Sequence, residues 1–170
     1  GSEMCIRDSC VAALVGIDQA IKLWAVQALA PVESITLIPH VLELRFVLNQ
    51  GMAFSLLSGK QLFLIIATSI ALILVAYGLF FRSRGKRLQQ VALVLVLGGG
   101  IGNLIDRVRL GYVVDMLDTM FMDFPVFNVA DVFVVCGTIC ALIYYLAFYG
   151  KYDEKHRENK TDGTDPAASK

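Results

Sequence analysis

Two long runs without a charged residue limit what this chain can fold into. Residues 61–81 and 88–105 contain no Asp, Glu, Lys or Arg. A helix needs about 20 mostly apolar residues, within a range of about 17–25, to cross the hydrocarbon core of a bilayer. The whole chain is 56% hydrophobic, whereas a typical soluble domain is about 45–50% apolar. Both observations predict a membrane protein.

Two further segments are candidate spans, although each has a weakness. Residues 10–30 are mainly apolar but contain the charged residues Asp18 and Lys22. Residues 132–149 are uncharged and reach the required length if residues 128–131 form the first turn of the same helix. The sequence therefore predicts four transmembrane helices.

The segment between the first two helices contains a different pattern. Residues 42–49, "LELRFVLN", place a large apolar side chain at every second position. This period is that of a strand with one apolar face, and Gly51 then permits a turn. The predicted fold class is a membrane all-α protein, with four transmembrane helices and a small external β platform between helices one and two.

The distribution of basic residues predicts the orientation in the membrane. Two groups lie at the same end of a four-helix arrangement: Arg82, Arg84, Lys86 and Arg87, and then Lys151, Lys155 and Arg157. Short loops rich in Lys and Arg stay on the cytoplasmic side. Both termini should then be cytoplasmic, with residues 31–60 and 106–127 on the outer side.

The two ends of the chain are expected to lie outside the folded domain. Residues 1–9, "GSEMCIRDS", look like a cloning scar joined to a translated sequencing adapter, so we leave them out of the fold prediction. Residues 10–150 form the expected membrane domain. Residues 151–170 are polar and mixed in charge, which predicts a disordered cytoplasmic tail.

Charge and cysteine spacing exclude some functions. The formal net charge is zero, so global charge gives no reason to expect a nucleic acid partner. The four cysteines show neither a CxxC pair nor a Cys/His metal-binding spacing. Cys136 and Cys140 fall on one helix face, where free cysteines usually pack as small apolar residues.

Polar residues cluster where the predicted spans reach the outer side. Ionisable residues cost about 2.5–3.5 kcal/mol at the centre of a transmembrane helix and normally mark a functional pathway. The residues concerned are Asp18, Lys22, Asn49, Gly51, Asn103, Asp106, Arg107, Asp115, Asn128 and Asp131.

Several of these residues also have a purely structural interpretation. Asp18 and Lys22, one helical turn apart, are equally compatible with a buried ion pair and with a substrate site. Arg107 could pair with Asp106 or extend towards the interface. Asn128 is well placed to cap the fourth helix.

Asn49 could likewise be a strand cap, but it shares one membrane depth with Asn128 although the two lie in separate segments. This favours a site role for both. Gly98 and Gly102 form a GxxxG pattern, which usually indicates close helix packing.

Asp115 and Asp131 lack an obvious local cation. Two carboxyl groups in one site of low dielectric constant share a proton, because both cannot ionise favourably. In an aspartic peptidase, one such group activates water and the other polarises the scissile carbonyl. A proton-coupled transporter and a non-catalytic membrane binding protein remain alternatives, although no internal repeat supports the transporter.

The segment from Cys10 to Tyr149 resembles bacterial lipoprotein signal peptidase, also called signal peptidase II. Five phrases carry the resemblance, in the family order: "DQAIK" (18–22), "NQGMAFS" (49–55), "GGGIGNLIDR" (98–107), "GYVVDM" (111–116) and "FNVAD" (127–131). Met116 stands where the family usually has Phe, and Ile21 replaces a common small hydroxyl residue.

The resemblance implies an intramembrane aspartic endopeptidase of the bacterial inner membrane. Its substrate would be a diacylglyceryl-modified prolipoprotein, cut just before the lipidated cysteine. Asp115 and Asp131 match the catalytic pair. The residues that match substrate-binding or supporting positions are Asp18, Lys22, Asn49, Gly51, Gly99, Asn103, Arg107 and Asn128. Membrane lipid is an expected partner, the chain is expected to be a monomer, and no metal or organic cofactor is expected.

Overall fold

The computed structural model describes residues 2–51, 57, 59–82 and 87–161. Its elements in chain order are α1 (Ser2–Trp24, continued by a π-helical turn at Ala25–Leu29), β1 (Ser34–Ile38), β2 (Leu42–Asn49), α2 (Gln61–Tyr77, continued by a π-helical turn at Gly78–Arg82), α3 (Arg87–Leu110), β3 (Val113–Thr119) and α4 (Val129–Thr161).

The prediction of four helices able to cross a membrane is confirmed. The qualifying stretches are Met4–Leu29, Gln61–Phe81, Arg87–Leu110 and Val129–Ala147. Helix α3 packs against each of the other three and most extensively against α4. Consecutive helices run in opposite directions, so the sheet, the end of α3 and the start of α4 all lie at one end of the bundle.

Both ends of the bundle differ from the sequence prediction. Helix α1 begins at Ser2, and Arg7 is buried and donates a hydrogen bond to the backbone oxygen of Leu79 at 2.9 Å. At the other end, α4 continues to Thr161, which lies within the segment 151–170 that the sequence predicts to be a disordered tail. Residues 2–9 and 151–161 contain neither Gly nor Pro. Nothing in the sequence therefore ends either helix in these segments.

The platform is a three-stranded antiparallel sheet in the order β1-β2-β3. Strand β2 is the predicted strand, but β3 comes from the segment between α3 and α4, which we had expected to be an outer loop. Most of β3 is buried on both faces, so its sequence, "VVDMLDT", shows no clear alternation of apolar and polar residues. The platform therefore joins two separate parts of the chain.

A small core attaches the sheet to the first helix. Ala25 and Leu29, in the π-helical turn after α1, pack with Val114 and Met116 of β3. All four side chains are at most 1% exposed. Met116, one of the departures from the family pattern, is therefore a core residue, and the aspartate between Val114 and Met116 has a fixed backbone.

Glycines in α3 let its neighbours approach closely. A Cβ at Gly98 would lie 2.8 Å from Cβ of Leu14 in α1, and a Cβ at Gly102 would overlap the carboxylate of Asp18. A Cβ at Gly99 would overlap the backbone oxygen of Ala130 in α4. The packing interpretation of the GxxxG pattern is confirmed.

Candidate active site

Asp115 lies on β3 and is 1% exposed. Its two carboxylate oxygens accept hydrogen bonds from the side-chain amides of Asn49, at 3.0 Å, and Asn128, at 2.7 Å. Asn49 ends the neighbouring strand β2. The backbone N–H of Gly51 donates to Oδ1 of Asn49 at 2.9 Å, which fixes the amide so that its NH₂ group faces the carboxylate.

Asp131 lies in the first turn of α4 and is also held at both oxygens. Oδ1 accepts a hydrogen bond from Nδ2 of Asn103 at 2.7 Å, and Oδ2 accepts one from the backbone N–H of Asn128 at 3.0 Å. The backbone N–H of Asp131 donates in return to Oδ1 of Asn128 at 3.0 Å. This reciprocal pair is a capping box, so the prediction that Asn128 caps the helix is confirmed.

Asn128 also connects the two acids. Its side chain is fully buried, and it caps the helix that carries Asp131 while its amide donates to Asp115. The oxygen and the nitrogen of this side chain therefore serve different partners, so capping the helix leaves the amide free to contact Asp115.

The two carboxyl groups open onto one cavity of about 460 Å³. Asn49, Asn103 and Arg107 supply the remaining polar lining. The rest of the wall is apolar or weakly polar: Val113, Phe124, Pro125, Val126, Phe127, Val132, Val134, Val135 and Cys136. A short polar strip in a mostly apolar cleft suits a substrate with one reacting polar bond and large apolar groups.

The environment of Asp115 favours its protonated form. Burial raises its pKa from the ordinary 3.8 to about 6, and the nearby charge of Asp131 acts in the same direction. The amides of Asn49 and Asn128 and the charge of Lys22 oppose this rise in pKa but do not cancel it. A carboxyl group that can hold a proton near neutral pH is suited to act as a general acid.

Asp18 and Lys22 form an ion pair at 2.9 Å, one of the two interpretations that the sequence allowed, and they lie behind the cavity instead of lining it. Nζ of Lys22 also lies 3.1 Å from Oδ2 of Asp106 and donates to Oδ1 of Asn103 at 2.9 Å. Asp18 accepts the backbone N–H of Ala130, at the start of α4, at 3.1 Å. This pair therefore contacts the residues that hold the acids.

Arg107 and the two predicted glycines contribute in different ways. The guanidinium group of Arg107 lines the cavity and donates to the backbone oxygen of Gly51 at 3.4 Å. Within the described residues, the ion-pair partner of Asp106 is Lys22 and not Arg107. Gly51 orients Asn49 and Arg107 through its backbone, and Gly99 serves the contact with α4.

Two features of the site escaped the sequence prediction. Gln19 donates to Oδ1 of Asp106 at 3.0 Å; Asp106 was in the predicted polar cluster, but Gln19 and its contact with Asp106 were not predicted. Their presence inside the phrases "DQAIK" and "GGGIGNLIDR" was the available signal. The apolar cavity wall at residues 124–127 was also missed, and its only signal was an apolar run directly before the helix cap.

Known proteins match the chain in sequence and in structure. The family model described as signal peptidase (SPase) II matches residues 10–147. The lipoprotein signal peptidase of Enterococcus faecalis is 45% identical, with 90% of this chain and 92% of that protein covered. The one from Clostridioides difficile is 42% identical, with 81% and 93% covered.

Two solved structures of a bacterial membrane enzyme, obtained by the in meso method, share the fold. The structure at 2.3 Å has a TM-score of 0.77 and 35% identity over 84% of this chain and 88% of that chain. The structure at 1.9 Å has a TM-score of 0.76 and 36% identity over 83% and 92%. The chain therefore belongs to the signal peptidase II family, the lipoprotein signal peptidases, which are aspartic peptidases of bacterial membranes.

Proposed function

We propose that this peptidase cuts diacylglyceryl-modified prolipoproteins just before the lipidated cysteine, with Asp115 and Asp131 as its catalytic pair. Cleavage of the signal peptide from prolipoproteins follows from the family. The observation that supports the pair is that two carboxyl groups, from β3 and from α4, both accept hydrogen bonds from Asn128, one from its side-chain amide and one from its backbone N–H, at the wall of one cavity.

The surroundings of the two acids favour different roles. Asp131 lies in the first turn of α4, where the positive end of the helix dipole stabilises a carboxylate. Asp115 is almost fully buried and has a pKa raised by that burial. In this proposal Asp131 is the base that takes a proton from water, and Asp115 is the acid that donates a hydrogen bond to the scissile carbonyl oxygen.

The reaction then needs no further group. Water loses a proton to Asp131 and attacks the carbonyl carbon, while Asp115 gives its proton to the carbonyl oxygen. In the second step, the C–N bond breaks as Asp131 passes its proton to the leaving amine, and a hydroxyl proton of the intermediate returns to Asp115. Both acids end in their starting protonation states.

Different parts of the cavity wall suit the peptide and the acyl chains of the substrate. Asn49 and Arg107 are polar groups beside the acids and can hold the peptide backbone; Nε of Arg107 is buried and has no hydrogen-bond partner among the residues that the structure describes. An apolar surface that suits acyl chains is provided by Phe124, Val132 and Val135. In this proposal, membrane lipid extends that apolar surface. Each buried CH₂ group contributes roughly 0.8 kcal/mol, so lipid should supply much of the binding free energy.

We further propose that the chain acts as a monomer with the acids on the outer side of the membrane. Both acids and the four amide donors that hold them come from one chain, which supports a monomer. The sequence puts the basic groups 82–87 and 151–157 at the opposite end of the bundle, which the positive-inside rule assigns to the cytoplasm together with both termini.

A comparison of two precursors tests this function. The purified protein is given a prolipoprotein peptide with and without the diacylglyceryl group, and the products are identified by mass spectrometry. We expect efficient cleavage of the lipidated form only, with the new N-terminus at the modified cysteine. Equal cleavage of both forms, or a cut at another bond, would contradict the proposal.

A further inference from the structure

We propose that Gln19 and Asp106 are positioning residues, which form with Lys22 a largely buried hydrogen-bonded unit that holds both catalytic acids. The inference rests on the proposed roles of Asp115 and Asp131 and adds two residues that do not touch the cavity. The unit is built from α1 and α3, whereas the acids lie on β3 and α4. It therefore connects all four elements behind the site.

Asp106 holds the strand that carries Asp115. Its side chain is 2% exposed, and its Oδ2 atom accepts a hydrogen bond from the backbone N–H of Val114 at 3.1 Å. Val114 directly precedes Asp115, so this bond fixes the backbone beside the acid. The same oxygen lies 3.1 Å from Nζ of Lys22, which balances the charge of the buried carboxylate.

Gln19 fixes the other oxygen of that carboxylate. Its Nε2 atom donates to Oδ1 of Asp106 at 3.0 Å and to the backbone oxygen of Gly102 at 3.2 Å. Oδ2 of Asp18 is a third acceptor of the same NH₂ group, at 3.3 Å. A backbone carbonyl and two carboxylates only accept hydrogen bonds, so the amide of Gln19 has one favourable orientation. Gln19 thereby attaches α1 to α3 at the level of Asp106.

Lys22 extends the unit to Asp131. An ammonium group has three hydrogens, and Nζ of Lys22 has three acceptors: Asp18, Asp106 and Asn103. Because Oδ1 of Asn103 accepts from both Lys22 and Asn128, its NH₂ group faces Asp131, to which it donates at 2.7 Å. One cation thus orients the amide that holds the second acid.

The test uses variants that remove single bonds from this unit. Gln19→Met keeps the length of the side chain but has no donor. Asp106→Asn keeps the shape of the side chain but replaces one acceptor oxygen with an NH₂ donor. In one orientation of the amide this donor faces the NH₂ group of Gln19, and in the other it faces the donors of Lys22 and Val114. The matched control is Asp118→Asn, because Asp118 is a 6% exposed acid on the same strand that pairs with Arg45 instead.

We expect kcat to fall on the order of 10-fold to 100-fold in both variants, the size produced when reacting groups are misplaced by about 1 Å. KM should stay within about threefold, since substrate contacts are unchanged. The double variant should lose about as much as the worse single variant, because both changes break the same contact. The control should keep nearly the kcat of the original protein.

Rates are taken per folded molecule. The folded fraction of each variant is measured in detergent by size-exclusion profile and thermal melting.

Other outcomes would overturn the inference. Single variants that match Asp118→Asn in kcat, or losses that multiply in the double variant, would show that Gln19 and Asp106 do not act as one unit. A loss explained entirely by less folded protein would show an ordinary structural role. If Asp106→Asn does not fold, Gln19→Met decides alone. If the original protein does not cleave the lipidated precursor at all, the proposed function itself is wrong.

Discussion

Asn128 shows how much a single side chain contributes to this site. Its oxygen caps α4 and its nitrogen donates to Asp115, so a helix end and a carboxyl group of the proposed catalytic pair are fixed together. The two contributions can be separated, because serine caps helices about as well as asparagine but has no amide to reach the acid.

We therefore expect Asn128→Ser to keep most of the stability and to lose most of the activity. Asn128→Ala should lose activity and also about 0.5–2 kcal/mol of stability, the usual contribution of an N-cap. Cleavage rates and melting temperatures of the two variants check this. A serine variant with the original rate would mean that the amide of Asn128 is not needed at Asp115.

The burial of Asp115 also has a consequence for stability. Its pKa is about 6 in the folded protein and close to 3.8 when unfolded. Between these values the folded state holds a proton that the unfolded state has lost, so stability falls as pH rises through this window. The full effect is about 3 kcal/mol, since each pKa unit corresponds to about 1.4 kcal/mol.

Melting curves at pH 4 and pH 7, recorded for the original protein and for Asp115→Asn, measure this effect. Residue 115 does not titrate in the variant, which therefore serves as the reference. From pH 4 to pH 7, the original protein should lose stability relative to the variant. Any constant cost of the amide cancels in this comparison. A difference that stays the same, or changes in the opposite direction, would contradict the raised pKa.

At the scale of elements, the contact between α3 and α4 determines where Asp131 lies. The added methyl group of Gly99→Ala would overlap the backbone oxygen of Ala130, one residue before Asp131. The adjacent Gly100→Ala would instead meet the end of the Leu72 side chain, which can rotate away. Alanine is otherwise favoured over glycine in a helix by about 1 kcal/mol.

We expect Gly99→Ala to lower both melting temperature and cleavage rate, because α4 must shift and carry Asp131 with it. Gly100→Ala should leave the rate nearly unchanged and keep the melting temperature close to that of the original protein. Equal effects of the two substitutions would show that the approach of α4 at Gly99 does not control the site.

The helices were predictable from the sequence because a membrane span requires a long, mostly apolar segment. Strand β2 was predictable because one of its faces is apolar. Strand β3 was not, since burial on both faces removes the alternation. Residue type and position placed Asp115, Asp131 and the asparagines in one predicted cluster, but the hydrogen bonds from the asparagine amides to the two acids were not predicted. Gln19 was not in that cluster, because its importance depends on Asp106, which is distant in sequence and adjacent only in the fold.

At the scale of the whole molecule, the orientation in the membrane is a separate prediction. Ser34 lies exposed at the start of β1, and Ser83 lies in the sequence between α2 and α3. In a cysteine-free variant, an impermeant thiol reagent added outside intact cells should label Ser34→Cys and not Ser83→Cys, because basic loops stay inside. Labelling of Ser83→Cys alone would reverse the proposed orientation.

The central claim is that Asp115 and Asp131 together carry out the cleavage. The most direct measurement is the rate at which purified Asp115→Asn and Asp131→Asn variants cut the lipidated precursor, with Asp118→Asn as the control. A neutral amide cannot exchange the required proton, so each catalytic variant should lose at least about 100-fold in rate while remaining folded, and the control should stay active. Near-original turnover at the same bond in either catalytic variant would contradict the account.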